Sequence, residues 1–489
     1  MNSPIRRLTL LVAAMFALLL AFSSWVQFAD SRSLRNAPGN SRTLLSAYEQ
    51  ERGAILVDQT QIARSEKTEG ELAYIRTYPS GKRYGHLTGW FSFSYGAGGL
   101  ELAENDLLSG QSDSLFYRRL GDLLTGKQPT GVNIELTIDP RVQQAAAQAL
   151  GTRKGAIVAL DPRTGAILAM TSSPQYDPNT ISTHDAAAAQ RAWTSLNDDP
   201  AKPMVNRAIT GDLYPAGSTM KVVTAAAALS SGQYDEHSSL TGTANLSMPG
   251  TTVTLRNDWR APCDNGTLDM TRALQISCNT AFGQLGMDLG AQALTDQAAK
   301  FGFAQPLTVP LPVTPSSLGP MPGKPQEAFT AIGQQDVRVT PLQMAMVAAG
   351  VANRGVVMRP YLVKQTRDSG LEILDQTRPV ELSRAVSPDV AAALTRMMTT
   401  VTESGGTGVA AALPGVRVAG KSGTAEHGTD AQGRDLAPHA WFISFAPADD
   451  PKIAVAVVVE DGGLPAPAPG GSFNAAPRAQ QVMKAVINP

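Results

Sequence analysis

Two pairs of apolar runs stand far apart in the chain, and they set the strongest limit on its fold. The first pair, GAIVALDPRTGAILAMTS, begins at Gly155 and turns at Asp161. The second pair, HAWFISFA and IAVAVVVED, begins at His439 and is joined by the turn PADDPK. Each pair is typical of a β-hairpin. Because long helical stretches such as MKVVTAAAALSSG lie between them, the pattern predicts an α/β domain whose central antiparallel sheet is flanked by helices.

The N-terminus indicates where the chain resides. Arg6 and Arg7 precede an apolar run from Leu8 to Phe22, which continues, less purely apolar, to Ala29. A helix of about 22 residues rises about 33 Å, enough to cross a bilayer. The arginines favour a cytoplasmic start, which places the remainder outside. A cleaved signal peptide is the alternative; we expect an uncleaved single-pass anchor, and either segment exports the rest of the chain.

The exported part divides by composition. Residues 30–131 mix strand-like runs with turns, and GELAYIRTYPSGKRYGHLTGWFSFS alternates as a half-buried strand does. Near Val132 the character changes: VNIELTID reads as a strand and leads into a helix that starts at Pro140. We therefore expect a cytoplasmic tail and transmembrane anchor in residues 1–29, a small β-rich domain in 30–131 and a larger α/β domain in 132–489.

The charge balance and the absence of metal-ligand motifs argue against several classes of protein function. Lys plus Arg total 41 and Asp plus Glu total 42, a formal net charge of −1, which argues against a nucleic-acid binder. The chain has no H-E-x-x-H or CxxC, so we expect no metal site and no cofactor, and we expect His427 and His439 to be ordinary polar residues. In an exported chain the two cysteines, Cys263 and Cys278, can form a disulfide or remain buried thiols; we expect the disulfide.

The stretch GVRVAGKSGT, which begins at Gly415, fits two chemistries. Gly415, Gly420, Lys421 and Ser422 match the phosphate-binding pattern G-x-x-x-x-G-K-[ST]. A phosphate loop, however, follows a buried strand and runs directly into a helix. AAALP before the match is no strand, and GTAEHGTDAQGRD after it is no helix. The dinucleotide-like pattern at Gly406 fails in the same way, because it follows a helical run instead of a strand.

The other chemistry is that of a serine acyltransferase, which needs S-x-x-K, then S-x-N, then K-[ST]-G, in this order. YPAGSTMK supplies Ser218 as the nucleophile and Lys221 as the general base. On a helix these two side chains share a face. Desolvation beside other cations favours a neutral lysine, which can accept the Ser218 proton. The backbone N–H of Ser218, at the helix start, can donate to an oxyanion.

One S-x-N triplet lies between the other two motifs, in QISCNTAF. Ser277 can relay a proton to the leaving group, and the Asn279 amide can hold a peptide-like substrate.

The third motif supplies the substrate-binding strand. Lys421 shapes the potential of the cleft and anchors a carboxylate, which the hydroxyls of Ser422 and Thr424 can also bind. Gly423 completes this strand, and the Thr424 N–H is the second predicted oxyanion donor. Each triplet alone arises by chance, but the ordered set is specific.

With these motifs the chain closely resembles the class B penicillin-binding proteins, and among them the actinobacterial penicillin-binding protein A type. The stretches ERGAILVD and GGLELAENDLLSG are similar to signatures of the family's N-terminal pedestal, or dimerisation-like, domain. LTIDPRVQQAA, GQQDVRVTPLQMA and GGTGVAAA are similar to landmarks of its transpeptidase domain. The resemblance implies a pedestal in 30–131 and a penicillin-binding transpeptidase domain in 132–489.

The resemblance also implies an activity and partners. It implies a peptidoglycan D,D-transpeptidase that cross-links stem peptides, on lipid-linked or nascent glycan, through a Ser218 acyl-enzyme, and that β-lactams inhibit covalently. It further implies a membrane glycosyltransferase partner of the RodA/FtsW kind. A D,D-carboxypeptidase or β-lactamase-type hydrolase, and a non-catalytic β-lactam sensor or scaffold, remain as alternatives. A disulfide between Cys263 and Cys278 would pin the Ser277 loop.

Overall fold

The computed structural model describes residues 3–28, 48–70, 72–112, 130–462 and 473–487. Parts of the predicted tail, pedestal and C-terminal region therefore lie outside the described residues. In chain order, the strands are β1 Ile55–Val57, β2 Thr60–Lys67, β3 Tyr74–Thr77, β4 Phe91–Ser92, β5 Gly96–Ala97, β6 Asn133–Leu136, β7 Gly155–Leu160, β8 Ile167–Ser173, β9 Ser239–Thr241, β10 Asn245–Ser247, β11 Thr254–Arg256, β12 Thr267–Asp269, β13 Leu307–Thr308, β14 Pro312–Val313, β15 Val356–Met358, β16 Val363–Arg367, β17 Ile373–Gln376, β18 Glu381–Arg384, β19 Ala419–Ala425, β20 His439–Ala446 and β21 Ile453–Val459.

Most of the helices lie in the part of the chain that follows residue 131. In chain order, they are α1 Ser3–Phe28, α2 Gly81–Thr88, α3 Leu100–Ala103, α4 Asn105–Leu108, α5 Pro140–Leu150, α6 Ala186–Asp198, α7 Lys221–Ser230, α8 Met270–Gln275, α9 Asn279–Lys300, α10 Lys324–Ala331, α11 Pro341–Ala352, α12 Pro388–Thr402 and α13 Ala476–Ile487. Short 3-10 turns cover Pro178–Thr180, Gly217–Met220 and Val409–Ala411.

The two predicted hairpins form one sheet. Its five strands have the order β19-β20-β21-β7-β8, and all four neighbouring pairs are antiparallel. Strands from near the two ends of the larger domain therefore lie side by side, and β19 occupies one edge. The predicted central antiparallel sheet is confirmed.

Both faces of this sheet are covered. Helix α11 packs on one face, and α5 and α13 pack on the other. Every residue of β20 and β21 is buried as a result, so these strands read as continuous apolar runs instead of alternating ones. Burying each of their large aliphatic or aromatic side chains contributes roughly 1.5–3 kcal/mol. Helix α11 is apolar on all sides for the same reason: all of its residues are buried.

A second sheet has six strands, in the order β17-β16-β6-β1-β2-β3. Strands β1 and β6 are parallel, and the other neighbours are antiparallel. Strands β6, β16 and β17 come after residue 131, so the pairing continues across the predicted boundary between pedestal and transpeptidase domain. That boundary stays a prediction.

The expected strand between β3 and β4 is wrong over residues 81–88, where the chain forms helix α2. A short alternation of polar and apolar residues does not distinguish a strand from one helical turn that buries Tyr84 and Leu87. Tertiary packing decides: a β-carbon on Gly85 would lie 2.8 Å from the Tyr176 carbonyl oxygen, so only glycine lets the helix lie this close.

Helix α1 contains a 23-residue span, Ile5–Gln27, that is long and apolar enough to cross a membrane. None of the side chains in its apolar window is buried against the rest of the protein. This helix is a candidate membrane anchor.

Candidate active site

Ser218 and Lys221 lie at the start of a buried helix. Ser218 is the second residue of the 3-10 turn Gly217–Met220, and α7 begins at Lys221 directly afterwards. The turn and helix bring the two side chains together as the spacing predicts, with Lys221 Nζ 3.0 Å from Ser218 Oγ. Lys221 is fully buried, whereas Ser218 keeps 8% of its surface exposed. The nucleophile residue thus keeps a small exposed surface, and the neighbouring lysine has none.

The Lys221 amine is surrounded by oxygen acceptors. Besides Ser218 Oγ, three oxygens lie within hydrogen-bond distance of Nζ: the Ser277 carbonyl at 2.7 Å, Ser277 Oγ at 3.1 Å and Asn279 Oδ1 at 2.6 Å. An ammonium has three hydrogens, so it cannot donate to all four oxygens at once. Burial lowers the pKa of Lys221 from its ordinary value of 10.5 to about 7, while the charge of Asp258 opposes the shift. A lysine with a pKa near neutrality can take a proton from Ser218 at physiological pH.

Lys421 reaches the same centre from the sheet edge. Its amine donates to Ser277 Oγ at 2.9 Å and to the Ser422 carbonyl at 2.9 Å. Burial lowers its pKa well below the ordinary value, and the Lys221 charge lowers it further. Ser277 Oγ therefore lies between two buried amines, where a hydroxyl can pass a proton from one to another.

The residue Ser277 itself has a left-handed backbone, with φ of +64°. A non-glycine residue in this region costs on the order of 1–3 kcal/mol and persists only where surrounding structure holds it. Here Cys278, the next residue, is disulfide-bonded to Cys263. Both sulfur atoms are fully buried.

The KSGT segment forms the middle of β19 and faces the nucleophile turn. A β-carbon on Gly423 would lie 3.0 Å from the Thr219 side chain, so the strand and the turn are in close contact. Ser422 is buried and donates to Thr407 Oγ1 at 2.7 Å, while Thr424 is half-buried. The structure thus brings together all three predicted motifs at one sheet edge.

Sequence reasoning missed Thr407 and the pair Asn257 and Asp258. Thr407 lies in the GGTG stretch, which the sequence marks as a family landmark but not as part of the site. Asn257 Oδ1 accepts the backbone N–H of Asn279 at 3.0 Å, and Asp258 Oδ1 accepts from Asn279 Nδ2 at 2.8 Å. These two residues belong to an irregular polar loop, and nothing in the local pattern marks them as neighbours of the motifs.

His427, His439 and Asp461 are the one group of three potential metal ligands within the described ranges. The two imidazole rings are stacked with centroids 3.8 Å apart and planes 6° from parallel. One ion cannot lie in both ring planes, as the in-plane nitrogen lone pairs require. His439 Nδ1 also accepts the Asp461 N–H at 3.1 Å. We assign no metal to this group.

Comparison with known protein families gives two matches. The penicillin binding protein transpeptidase domain matches residues 155–484, and the penicillin binding protein A dimerisation domain matches residues 52–134. Together they span most of the chain after the apolar helix.

Individual relatives are similar over the full length. The peptidoglycan D,D-transpeptidase PbpA of Mycolicibacterium smegmatis is 44% identical over 497 residues, covering 100% of this chain and 99% of that protein. The ceftriaxone acyl-enzyme complex of penicillin-binding protein A from M. tuberculosis has a TM-score of 0.85 at 43% identity, covering 91% of this chain and 100% of that one. The penicillin G acyl-enzyme complex of the same protein has a TM-score of 0.84 at 44% identity, covering 90% and 100%.

Proposed function

The chain belongs to the class B penicillin-binding proteins, and from that premise we propose that it is a peptidoglycan D,D-transpeptidase whose nucleophile is Ser218. The observation that carries this assignment is the position of Lys221 Nζ, fully buried and 3.0 Å from Ser218 Oγ, within reach of Ser277 and Asn279. Full-length relatives named peptidoglycan D,D-transpeptidase, and acyl-enzyme complexes of a similar structure, support it.

Acylation proceeds through formation and collapse of a tetrahedral intermediate. Ser218 Oγ attacks the carbonyl carbon of the penultimate D-alanine of a stem peptide, and its proton passes to Lys221 Nζ. The backbone N–H groups of Ser218 and Thr424 stabilise the tetrahedral oxyanion. When the carbon–nitrogen bond breaks, Ser277 Oγ hands a proton to the departing D-alanine amine and is resupplied from Lys221 or Lys421.

Transfer reverses the sequence. An amine of a neighbouring strand attacks the ester carbonyl and gives up a proton to the lysine that serves as base; the amide bond forms, the carbon–Oγ ester bond breaks, and Ser218 Oγ regains a proton from that lysine. Lys421, Ser422 and Thr424 hold the substrate carboxylate at β19, and Gly423, without a side chain, lets this strand lie close to Thr219 of the nucleophile turn. A β-lactam follows the first half only: its ring carbon–nitrogen bond opens, but the amine stays attached, and a stable acyl-enzyme results.

The test is covalent labelling. Fluorescent penicillin should label the wild-type protein and not Ser218→Ala, with the adduct mapped to Ser218 by mass spectrometry. Ser195→Ala, in an S-x-N triplet on exposed helix α6, is the matched control and should label normally. Labelling of Ser218→Ala would contradict the assignment, and rapid release of the adduct would favour a hydrolase.

We also propose the finer points of location and partnership. Arg6 and Arg7, on the N-terminal side of the apolar span, favour a cytoplasmic N-terminus and an extracytoplasmic catalytic domain. The pedestal and anchor together fit a membrane glycosyltransferase partner of the RodA/FtsW kind. Protease treatment of intact cells should cleave the catalytic domain; a protected domain would contradict the proposed orientation. Affinity purification from solubilised membranes should recover the glycosyltransferase, and failure to recover it would contradict the proposed partnership.

The bond between Cys263 and Cys278 has a proposed role in the same site. Cys278 stands between Ser277 and Asn279, so a covalent tie at this residue restrains both neighbours. It holds the left-handed Ser277 backbone in the position from which its hydroxyl meets both lysine amines.

A further inference from the structure

The N-terminus of α9 is capped from another part of the chain. The residue at the cap position, Cys278, makes no side-chain cap hydrogen bond, and its sulfur is bonded to Cys263. Asn257, more than twenty residues earlier, instead accepts the backbone N–H groups of Asn279 at 3.0 Å and of Thr280 at 3.1 Å. Both belong to the first turn, whose N–H groups have no partner inside the helix, and the Thr280 N–H is one that an N-cap side chain normally satisfies.

Asn257 is itself held firmly. It is 2% exposed, and its Nδ2 donates to the carbonyls of Thr243 at 3.0 Å and Ala261 at 2.9 Å. Both hydrogens and the oxygen of its amide therefore have partners. A buried amide satisfied in this way has one orientation, and it fixes where the backbone of Asn279 starts.

The next residue, Asp258, fixes the side chain. Asn279 Nδ2 donates one hydrogen to Asp258 Oδ1 at 2.8 Å and the other to the Arg256 carbonyl at 3.1 Å. Because both amide hydrogens point to these oxygens, the amide oxygen points the other way, to Lys221 Nζ at 2.6 Å. A flipped amide would place its oxygen against the carboxylate and its hydrogens against the amine, so it is excluded.

Asp258 also supplies negative charge to the centre. Its carboxylate raises the pKa of both Lys221 and Lys421, against the larger lowering effect of burial. The same carboxylate acts on Glu426: partial burial raises the pKa of Glu426, and the charges of Asp258 and Asp435 raise it further. Among the described residues, the charged groups that act on the two amines are each other and Asp258, and Asp258 acts on Glu426 as well.

We propose that Asp258 is a positioning residue for acyl transfer: its carboxylate holds the Asn279 amide so that the amide oxygen orients the Lys221 amine toward Ser218. The inference rests on the proposed function of Ser218 and adds to it a residue outside the three motifs. Asn257 sets the backbone of the same contact, and Asp258 sets its side chain.

Two variants separate the hydrogen bond from the charge. Asp258→Ala removes both, and we expect the limiting acylation rate with penicillin G to fall by about 10²-fold, with little change in the affinity of the initial complex. Asp258→Asn keeps an oxygen that can accept from Asn279 Nδ2, so it should recover most of the rate. Without the carboxylate, the lysine pKa falls, so the acid limb of its pH–rate profile should move to lower pH.

The matched control is Asp296→Asn, which makes the same substitution at an exposed carboxylate of α9 that accepts from Gln292, one turn earlier in the same helix. It should leave rate and pH profile unchanged. Thermal unfolding of all variants reports on folding independently of the rates.

Three results would overturn the proposal. Asp258→Ala could acylate at the wild-type rate and pH dependence, or acylate faster, which would mean that the carboxylate competes with substrate for the amide. Alternatively, both variants could be equally slow with the pH profile unmoved, which would indicate a merely structural role. Ser218→Ala introduced into each variant distinguishes these from failure of the proposed function, because only in the latter case would labelling persist.

Discussion

The backbone of Gly217 lies against the carbonyl oxygen of Thr424: a β-carbon on Gly217 would be 2.4 Å from that oxygen. Gly217 has φ of +53°, and its N–H donates to the Gly333 carbonyl at 2.9 Å. At Gly217 and Thr424, the nucleophile turn and the edge strand β19 therefore meet backbone to backbone. This contact sets the separation between the N–H groups of Ser218 and Thr424, the proposed oxyanion donors.

Substituting Gly217 with alanine should disable acylation. The added methyl forces the turn away from β19, and a displacement of about 1 Å in such a site costs about 10²-fold in rate. Gly232→Ala is the matched control, since Gly232 also has positive φ, +70°, but open space around it. In both variants a left-handed alanine should lower the free energy of unfolding by about 1–2 kcal/mol, which thermal unfolding measures. Only Gly217→Ala should lose penicillin acylation. Equal acylation of the two variants would refute the role of the contact.

The acylation rate should depend on the protonation of Lys221. Burial lowers its pKa to about 7, and only the neutral amine accepts the Ser218 proton. The rate should therefore be level at higher pH and fall as pH drops through about 7, by about tenfold per pH unit below it. Lys221→Arg keeps a guanidinium that stays charged, so it should be inactive throughout this range. Stopped-flow acylation across pH checks both; a profile that does not fall below neutrality would exclude Lys221 as the base.

The fold was largely predictable because its central sheet is buried on both faces. Burial on two faces leaves continuous apolar strands, a signal that local sequence carries. The α2 helix was not predictable, because its eight residues become helical through contact with Tyr176 and neighbouring residues far along the chain. Pairing of β6 with β1 likewise depends on tertiary structure. The change in composition near Val132 therefore predicts a domain boundary at a point where the strands still pair in one sheet.

The residues of the candidate site likewise divide into those that local sequence predicts and those that only tertiary structure brings together. Ser218 and Lys221 were found because the relevant spacing is local, and the other motifs because their order is fixed along the chain. Asp258 was not found, since its contact with Asn279 joins segments whose proximity only folding creates. The roles of these residues stay predictions until the variants are measured.

Removing the disulfide should affect both stability and acylation. The bond closes a loop with a sequence separation of 15, for which chain entropy gives about 3 kcal/mol of stabilisation. The double variant Cys263→Ser/Cys278→Ser should unfold at lower temperature and acylate more slowly, because the left-handed Ser277 backbone loses its restraint. Reduction of the wild-type protein should reproduce the rate effect and leave the double variant unchanged. Acylation that is insensitive to both treatments would show that the bond serves stability alone.

A buried ion cluster in the pedestal gives a prediction about stability without catalysis. Glu101 has a fully buried side chain and accepts from Arg52 Nε at 2.7 Å and from Arg76 Nε at 2.6 Å. Burial alone would raise the pKa of the Glu101 carboxyl, but Arg76 and Arg52 together lower it below its ordinary value. Its contribution to stability is therefore present above the unfolded-state pKa and is lost as pH falls through the folded one.

Glu101→Gln should destabilise the protein by about 3–5 kcal/mol, because it leaves two buried guanidinium groups without a counter-charge. Glu66→Gln is the control: it breaks an ion pair with Arg64 in which both side chains are almost half exposed, and it should cost less than about 1 kcal/mol. Thermal unfolding at neutral pH measures both. The difference between wild type and Glu101→Gln should shrink as pH falls, since protonation removes the same charge from the wild-type carboxyl. Because the cluster joins α3, β3 and the segment before β1 and includes no residue of β19, the folded fraction of Glu101→Gln should acylate at the wild-type rate; slower acylation would mean instead that the pedestal is coupled to the active site.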